Sequence, residues 1–251
     1  MPLTRIDFNC DLGEGYDDAA VLPYLSSANI ACGFHASDPE LMQHTVALCI
    51  EHGVAIGAHP SLFDREGFGR RELSVTPEQT YALTLYQIGA LQALVNAAGA
   101  NLQHVKAHGA LYNMSARNAS LADAIANAVR DADPMLILFG LANSESTAAG
   151  ERIGLRVAHE VFAERRYDAD GCLTPRGTPG AVIEHIDESL AQVRQLLRDG
   201  CVTARTGEYL PLRADTLCLH GDRADAAAFA RSLRAALNNE GVQVLSFGAA
   251  Q

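Results

Sequence analysis

The stretch ANIACGFHASDPELMQHTVALCIEHGVAIGAH, residues 28–59, decides the fold. It holds a short apolar run over 28–32, a helix, and a second apolar run over 54–58. Asp38 supplies an N-cap, Pro39 fills the first helical position, and Gly53 ends the helix. Leu41, Thr45, Leu48 and Cys49 fall on one helical face. Two short strands joined by a helix pair in parallel, because a crossover of this length brings the second strand back in the same direction.

The same alternation runs outward on both sides. Upstream, 5–11 places Ile6, Phe8 and Cys10 on one face and Asp7, Asn9 and Asp11 on the other, the period of a strand. Downstream, Thr76-Pro77-Glu78-Gln79 opens a helix with a capping box, and Gly99 closes it after about Ala98. Further strands are expected over 102–107, 135–139, 155–160, 216–220 and 242–245, and helices over 120–131, 144–153, 186–199 and 224–239. The segment 161–180, rich in charge, Gly and Pro, reads as a long loop, and loops of that length are usually lids or binding loops. The fold expected is an α/β, irregular (β/α) barrel of seven or eight mostly parallel strands, forming one domain over 1–251. An open doubly wound sheet is the alternative, but its G-x-G-x-x-G fingerprint is missing after the first strand, and no G-x-x-x-x-G-K-[ST] occurs anywhere.

Composition removes other classes. The chain has 251 residues, 48% hydrophobic and 20% charged, enough for a core without disulfide or metal staples. A net charge of −11 with no basic run argues against nucleic acid. No apolar stretch approaches the ~20 residues of a membrane span, and the start lacks a signal-peptide h-region. A soluble cytoplasmic protein is expected. Six scattered cysteines form no C-x-x-C pair, and those inside apolar runs read as inert core.

The strongest functional signal is positional. Strand candidates end, at their carboxyl side, in Asp11 with Glu14 beyond, in Cys32-Gly33-Phe34-His35, in His59, in His104-Val105-Lys106-Ala107-His108, in Glu160 and in His220-Gly221-Asp222. In a parallel barrel these ends share the face that carries the active site. Any one of these histidines alone would ordinarily be a satisfied structural group; their convergence is the point. His44, His52, His159 and His185 are read as surface or packing residues.

Lys106 needs a reason, since it is the one lysine among 19 basic residues. An ammonium at an apolar strand end is costly unless paired. It is expected to donate to a carbonyl or carboxylate, or less readily to act as a Schiff-base amine. Two loops offer anion-binding forks: Gly67-Phe68-Gly69-Arg70-Arg71 and Glu164-Arg165-Arg166.

Asn9-Cys10-Asp11-Leu12-Gly13-Glu14, Asn29-Ile30-Ala31-Cys32-Gly33-Phe34-His35-Ala36-Ser37-Asp38-Pro39 and Gly57-Ala58-His59-Pro60 resemble signatures of the LamB/YcsF lactam-utilisation family. So do Gly67-Phe68-Gly69-Arg70-Arg71, Tyr86-Gln87-Ile88-Gly89-Ala90-Leu91, Val105-Lys106-Ala107-His108-Gly109-Ala110-Leu111-Tyr112-Asn113 and His220-Gly221-Asp222, in order across nearly the whole chain. Three positions depart from the pattern: Ala107 stands where the family usually has Pro, Ser37 where it has Gly, and Glu164 where it has Asp.

The resemblance implies a barrel like those of glycoside hydrolases and sugar deacetylases. It implies ATP-dependent opening of the small lactam 5-oxo-L-proline to L-glutamate, with partner subunits B and C. An unstrained amide is a poor electrophile, so coupling to ATP is chemically sensible, yet the chain has no P-loop. On this reading Asp11 or His35 is the general base, oriented by Glu14 or Asp38. Lys106 and His108 stabilise charge on the oxygen and the departing phosphate, and Arg70 or Arg71 holds the carboxylate. Asn9, Asn29, His59, Glu160, Arg165, His220 and Asp222 complete the expected binding set.

The alternative is a metal-dependent amidohydrolase or sugar deacetylase, with Asp11, His35 and His59 around a divalent cation whose bound water attacks. A third possibility is a non-enzymatic subunit that presents the lactam to its partners.

Overall fold

In the computed structural model, which describes residues 4–222 and 225–249, seven parallel strands close into a barrel. They are β1 (Arg5–Leu12), β2 (Ser27–Ala31), β3 (Ala55–His59), β4 (Leu102–Lys106), β5 (Ile137–Leu141), β6 (Arg156–Phe162) and, after a small hairpin of β7 (Cys201–Thr203) and β8 (Tyr209–Pro211), β9 (Thr216–His220). Each of β1 to β5 pairs with the next. β9 closes the ring by pairing with both β6 and β1, Glu160 opposite Thr216 and Asp11 opposite His220. The eighth expected strand, β10 (Gln243–Val244), only extends the start of β1, at Arg5 and Ile6, and takes no part in closure. The barrel expectation therefore holds with seven strands.

The helices form where their end signals lie. Short α1 (Asp18–Val21) precedes β2. α2 (Pro39–His52) starts where the Asp38 carboxylate accepts from Leu41 N–H at 2.9 Å, and stops at Gly53 in the left-handed region, φ 65°. Its buried face is Met42, Thr45, Val46 and Cys49, rotated from the face expected; Leu41 and Leu48 are only half-buried. α3 (Pro77–Ala97) carries both bonds of the Thr76–Gln79 capping box. α4 (Gly109–Arg117), α5 (Ala119–Ala132), α6 (Glu145–Arg152), α7 (Ile186–Asp199) and α8 (Ala226–Asn239) follow. α4 adds a helix to the expected set, in a segment whose residues otherwise read only as a site motif. Among the described residues no helix is long and apolar enough to cross a membrane.

The polar and apolar faces of β1 separate as their alternation requires. Ile6, Phe8 and Cys10 join the apolar core. Asn9 and Asp11 reach across the barrel axis to Glu160 on β6 and Lys106 on β4, strands that are not neighbours of β1. Such barrels usually fill their interior with branched apolar side chains. Here the axis is a buried polar network, stable only because its members find partners. At the bottom, Asp7 accepts from the hydroxyls of Ser26, Ser27 and Thr216. Burial nevertheless raises its pKa above the usual carboxylate range.

Above Asp7, Asn9 donates to Glu160 Oε1 (3.0 Å) and Asn29 donates to Asn9 (2.7 Å) and Asp11 (2.9 Å). His104 contacts Asn29 Oδ1 at 2.9 Å. It reaches that position because residue 57 is glycine: a Cβ there would lie 2.0 Å from His104 Nε2. The β3–β4 register also shifts between Ile56 and Gly57.

Residues 161–180 are an ordered arm rather than a structureless loop. Val161 and Phe162 finish β6, and antiparallel bridges Arg165–Val182 and Tyr167–Leu173 fold the rest back on itself. Tyr167 is fully buried and accepts from Phe162 N–H through its hydroxyl oxygen.

One departure from the family pattern gains a physical meaning. Ser37 adopts φ 72°, a left-handed conformation that glycine takes without strain. Ser37→Gly is therefore expected to raise stability by up to ~1 kcal/mol, the relief of strain being partly offset by unfolded-chain entropy. That corresponds to roughly 2–4 °C in Tm by calorimetry; an unchanged or lower Tm would show that the serine turn carries no net strain.

Candidate active site

The strand ends converge on one cavity of about 190 Å³, lined among others by Asp11, His59, Arg70, Lys106, His108, Tyr112, Phe162, Arg165, Arg176 and His220. Its floor is the top of the polar axis. Lys106 Nζ donates to Asp11 Oδ1 (2.9 Å) and lies 3.0 Å from both Glu160 Oε1 and Cys218 Sγ. Burial alone would lower the Lys106 pKa, but Asp11, Cys218 and Glu160 outweigh it and hold the ammonium well above its usual range. It is a fixed cation. A Schiff-base role would need a free amine, and none is on offer; the Lys106 protons are also already directed at protein acceptors. Asp11 shows the mirror effect: burial raises its pKa, yet His59 and Lys106 bring it well below the ordinary range. A charged carboxylate therefore faces the cavity, with its second oxygen 3.2 Å from His59 Nε2 and 4.0 Å from His220 Nε2.

Beside Asp11 lies a histidine cluster. His59 Nδ1 donates to the Lys106 carbonyl oxygen at 2.7 Å, and His108 Nε2 to the Phe68 carbonyl oxygen at 2.9 Å. Their other nitrogens, His59 Nε2 and His108 Nδ1, then face one another at 2.9 Å. His108 Nδ1 is 3.4 Å from Glu14 Oε1, and His35 Nε2 is 3.0 Å from that oxygen. Two lone pairs cannot meet at 2.9 Å, so a proton or a cation must sit between them. Burial, then neighbouring histidines, push the pKa values of His35 and His108 well below the usual imidazole range. Burial, then Asp11 and Asp222, push Glu14 well above the carboxylate range. The donor atoms of Glu14, His35, His59 and His108 lie within 4.8 Å of one another. Neutral imidazoles anchored through backbone carbonyls are the arrangement that nitrogen-preferring divalent cations use.

The other expected residues take varied places. His35 stands behind His108, the rings stacked 3.8 Å apart, and does not line the cavity; of the two expected bases only Asp11 reaches it. Asp38 is spent on the α2 cap. Glu14 faces histidines rather than orienting Asp11. Arg71 points away to Asp64 with its side chain 59% exposed, so Arg70 is the member of the pair that lines the cavity. Arg70 is tied to Asp222 and stacks on Phe68 at 4.9 Å. Asn9, Asn29 and Glu160 lie below the floor as supports. Of the expected metal trio, His35 and His59 gather with Glu14 and His108, whereas Asp11 groups with Cys218 and His220.

Sequence reasoning missed Tyr112, Phe162 and Arg176 in the wall, and Glu164 behind it. Glu164 Oε1 is 2.5 Å from His220 Nδ1 and also accepts from its backbone N–H. The extra methylene at this position thus positions His220. Burial, then Glu160, push the Tyr112 phenol well above its usual range, so it stays a neutral donor.

Comparison with known proteins finds relatives across nearly the whole chain. The model of the LamB/YcsF family matches residues 6–251. The chain is 54% identical over 245 residues to a Bordetella pertussis protein named as the A subunit of 5-oxoprolinase, covering 95% of this chain and 97% of that one. It is 53% identical over 246 residues to the Bacillus subtilis protein of the same name, covering 96% of each. The solved lactam utilization protein from Thermus thermophilus superposes with a TM-score of 0.90 at 43% identity, over 96% of this chain and 99% of that one. A putative cellobiose-phosphate cleavage protein from Enterococcus faecalis, at a TM-score of 0.59 and 12% identity over 98% of each chain, shares the fold alone.

Proposed function

The chain belongs to the LamB/YcsF family, and from that premise we propose that it is the ring-opening subunit of a 5-oxoprolinase. In this reading it works with partner subunits B and C to convert 5-oxo-L-proline to L-glutamate at the expense of ATP, the whole chain acting as one catalytic barrel domain. The observation that carries the reading is the charged Asp11 at the floor of a small cavity rimmed by guanidinium groups. About 190 Å³ is below the ~300 Å³ at which drug-sized pockets begin, so a single small ring suits it better than an oligosaccharide.

The partners hold ATP and pass its terminal phosphoryl group to the lactam carbonyl oxygen, leaving a C=N bond in the ring. Water adds to that ring carbon while Asp11 takes its proton, and the ring nitrogen gains a proton. The C–N bond then breaks as the new hydroxyl gives up its proton and the departing nitrogen gains one, giving an acyl phosphate that a second water converts to glutamate and inorganic phosphate. The neutral Tyr112 hydroxyl supplies polarity at the oxygen and nitrogen, while His108, its ring nitrogens taken by Phe68 and His59, shapes the wall. Lys106 is a positioning residue: it fixes the charge and direction of Asp11. Arg70 receives the substrate carboxylate, and His220 is held toward Asp11 by Glu164.

The histidine cluster favours a second reading of the same step, in which Glu14, His35, His59 and His108 hold a divalent cation. Such an ion would acidify a bound water and polarise the bond under attack. Asp11 would still accept the proton.

Reconstitution tests both. ATP-dependent glutamate release from 5-oxoproline is expected from the three subunits together and not when this chain is omitted; a full rate without it overturns the proposal. Chelator-treated, metal-free protein that keeps full turnover removes the cation reading and leaves the first intact.

A further inference from the structure

The arm from β6 carries two guanidinium groups that the catalytic steps leave unused. Arg165 is 3% exposed and lines the cavity. Its Nη2 donates to the Thr174 carbonyl oxygen at 2.6 Å, while its Nε is buried with no acceptor. Buried guanidinium groups normally carry a carboxylate partner, because an unpaired charge out of water is costly. The adjacent acid, Glu164, directs Oε1 at His220 instead. Arg176, farther along the arm and exposed at the rim, lines the same cavity and makes no ion pair among the described residues. Burial, then Arg176, bring the Arg165 pKa down to about 10. Arg70, by contrast, is held by Asp222 through Nη2, and the rest of its fork is left for the carboxylate.

Two guanidinium groups that line one cavity and make no ion pair among the described residues favour an anion there, in a chain whose net charge is −11. One carboxylate is satisfied by one guanidinium fork, and the lactam itself offers only one. Two guanidinium groups lining one cavity match a tetrahedral dianion with three outer oxygens. We propose that Arg165 and Arg176 form the subsite that grips the phosphoryl group, so that the arm is the part of this chain that tells the phosphorylated lactam from the lactam alone. The inference rests on the ring-opening function proposed above. It divides the cavity: the arm grips the phosphoryl group, Arg70 faces the carboxylate, and the ring carbon lies between them above Asp11.

Calorimetric titration of the isolated full chain with inorganic phosphate tests the subsite, with acetate as a carboxylate-only control. Saturable binding of one phosphate is expected, with acetate at least ~10-fold weaker. Arg176→Ala is expected to weaken phosphate at least ~10-fold, and Arg165→Lys, which keeps the charge but loses the fork, to do the same. 5-Oxoproline affinity is expected to stay within about threefold in Arg176→Ala. Unsaturable phosphate binding overturns the inference, as does unchanged phosphate affinity in both variants. A parallel loss of 5-oxoproline affinity in Arg176→Ala also overturns it, since the arm would then hold the carboxylate. These outcomes are separable from failure of the functional reading, which is decided by glutamate release from the wild-type reconstituted enzyme.

Discussion

Lys106→Met is expected to abolish glutamate release in the reconstituted enzyme, by at least ~10², and to destabilise the chain by ~3–5 kcal/mol. The reason is the same for both effects. Lys106 lies 2.9 Å from Asp11 and 3.0 Å from Glu160, all three being buried, so its removal takes away the ammonium that both carboxylates share in the barrel axis. Methionine fills the space of the stem and replaces none of the charge. For a chain of this size the loss corresponds to a Tm lower by roughly 6–20 °C. Thermal melting and turnover measured on the same preparation check it. A variant with wild-type Tm and turnover would show that the axis is held together by something other than this cation.

Asp11→Asn is expected to separate chemistry from stability. The side chains are isosteric, and Lys106 keeps Glu160 as a partner. The fold should therefore survive while turnover falls by ~10²–10⁴, the usual contribution of a positioned general base. The amide still accepts from Asn29 and Lys106 through its oxygen, but it cannot take a proton from water. A folded Asp11→Asn variant retaining more than about a third of wild-type turnover would remove Asp11 as the base. The pair of variants is diagnostic because the two residues share one contact but differ in what they do: one holds charge in place, the other moves a proton.

The barrel is legible in the sequence because its signals are local. Asp38-Pro39, the Thr76–Gln79 box and the closing Gly53 fix helix ends through bonds within a few residues, and the structure contains each of them. The polar face of β1 shows as alternation, and strand-end placement brings Asp11, His59, Lys106, His108 and His220 to one cavity. What periodicity cannot supply is long-range. No local pattern says that β10 stops outside the ring, that Lys106 spends its protons on Asp11, Glu160 and Cys218, or that Arg176 swings back to the wall. His35 illustrates the limit. It sits at a strand end as expected, yet its ring packs against His108 and leaves the wall to that residue. The α4 helix is hidden for a different reason: it starts at His108 without a side-chain cap, so no end signal marks it.

The arm between β6 and α7 is tied down by its own bridges and by Tyr167, independently of the hydrogen bonds that run along the barrel axis. Each residue of that axis answers to several strands at once, so a change in one disturbs the others. The arm is anchored at its base to α7 and β9 through Ser189, Gln192 and His220, and beyond that base it answers mainly to itself. New ligand preferences can therefore arise by redrawing a single surface segment while the reactive centre stays fixed, which makes the arm the natural target for redirecting this scaffold toward other ring-shaped amides.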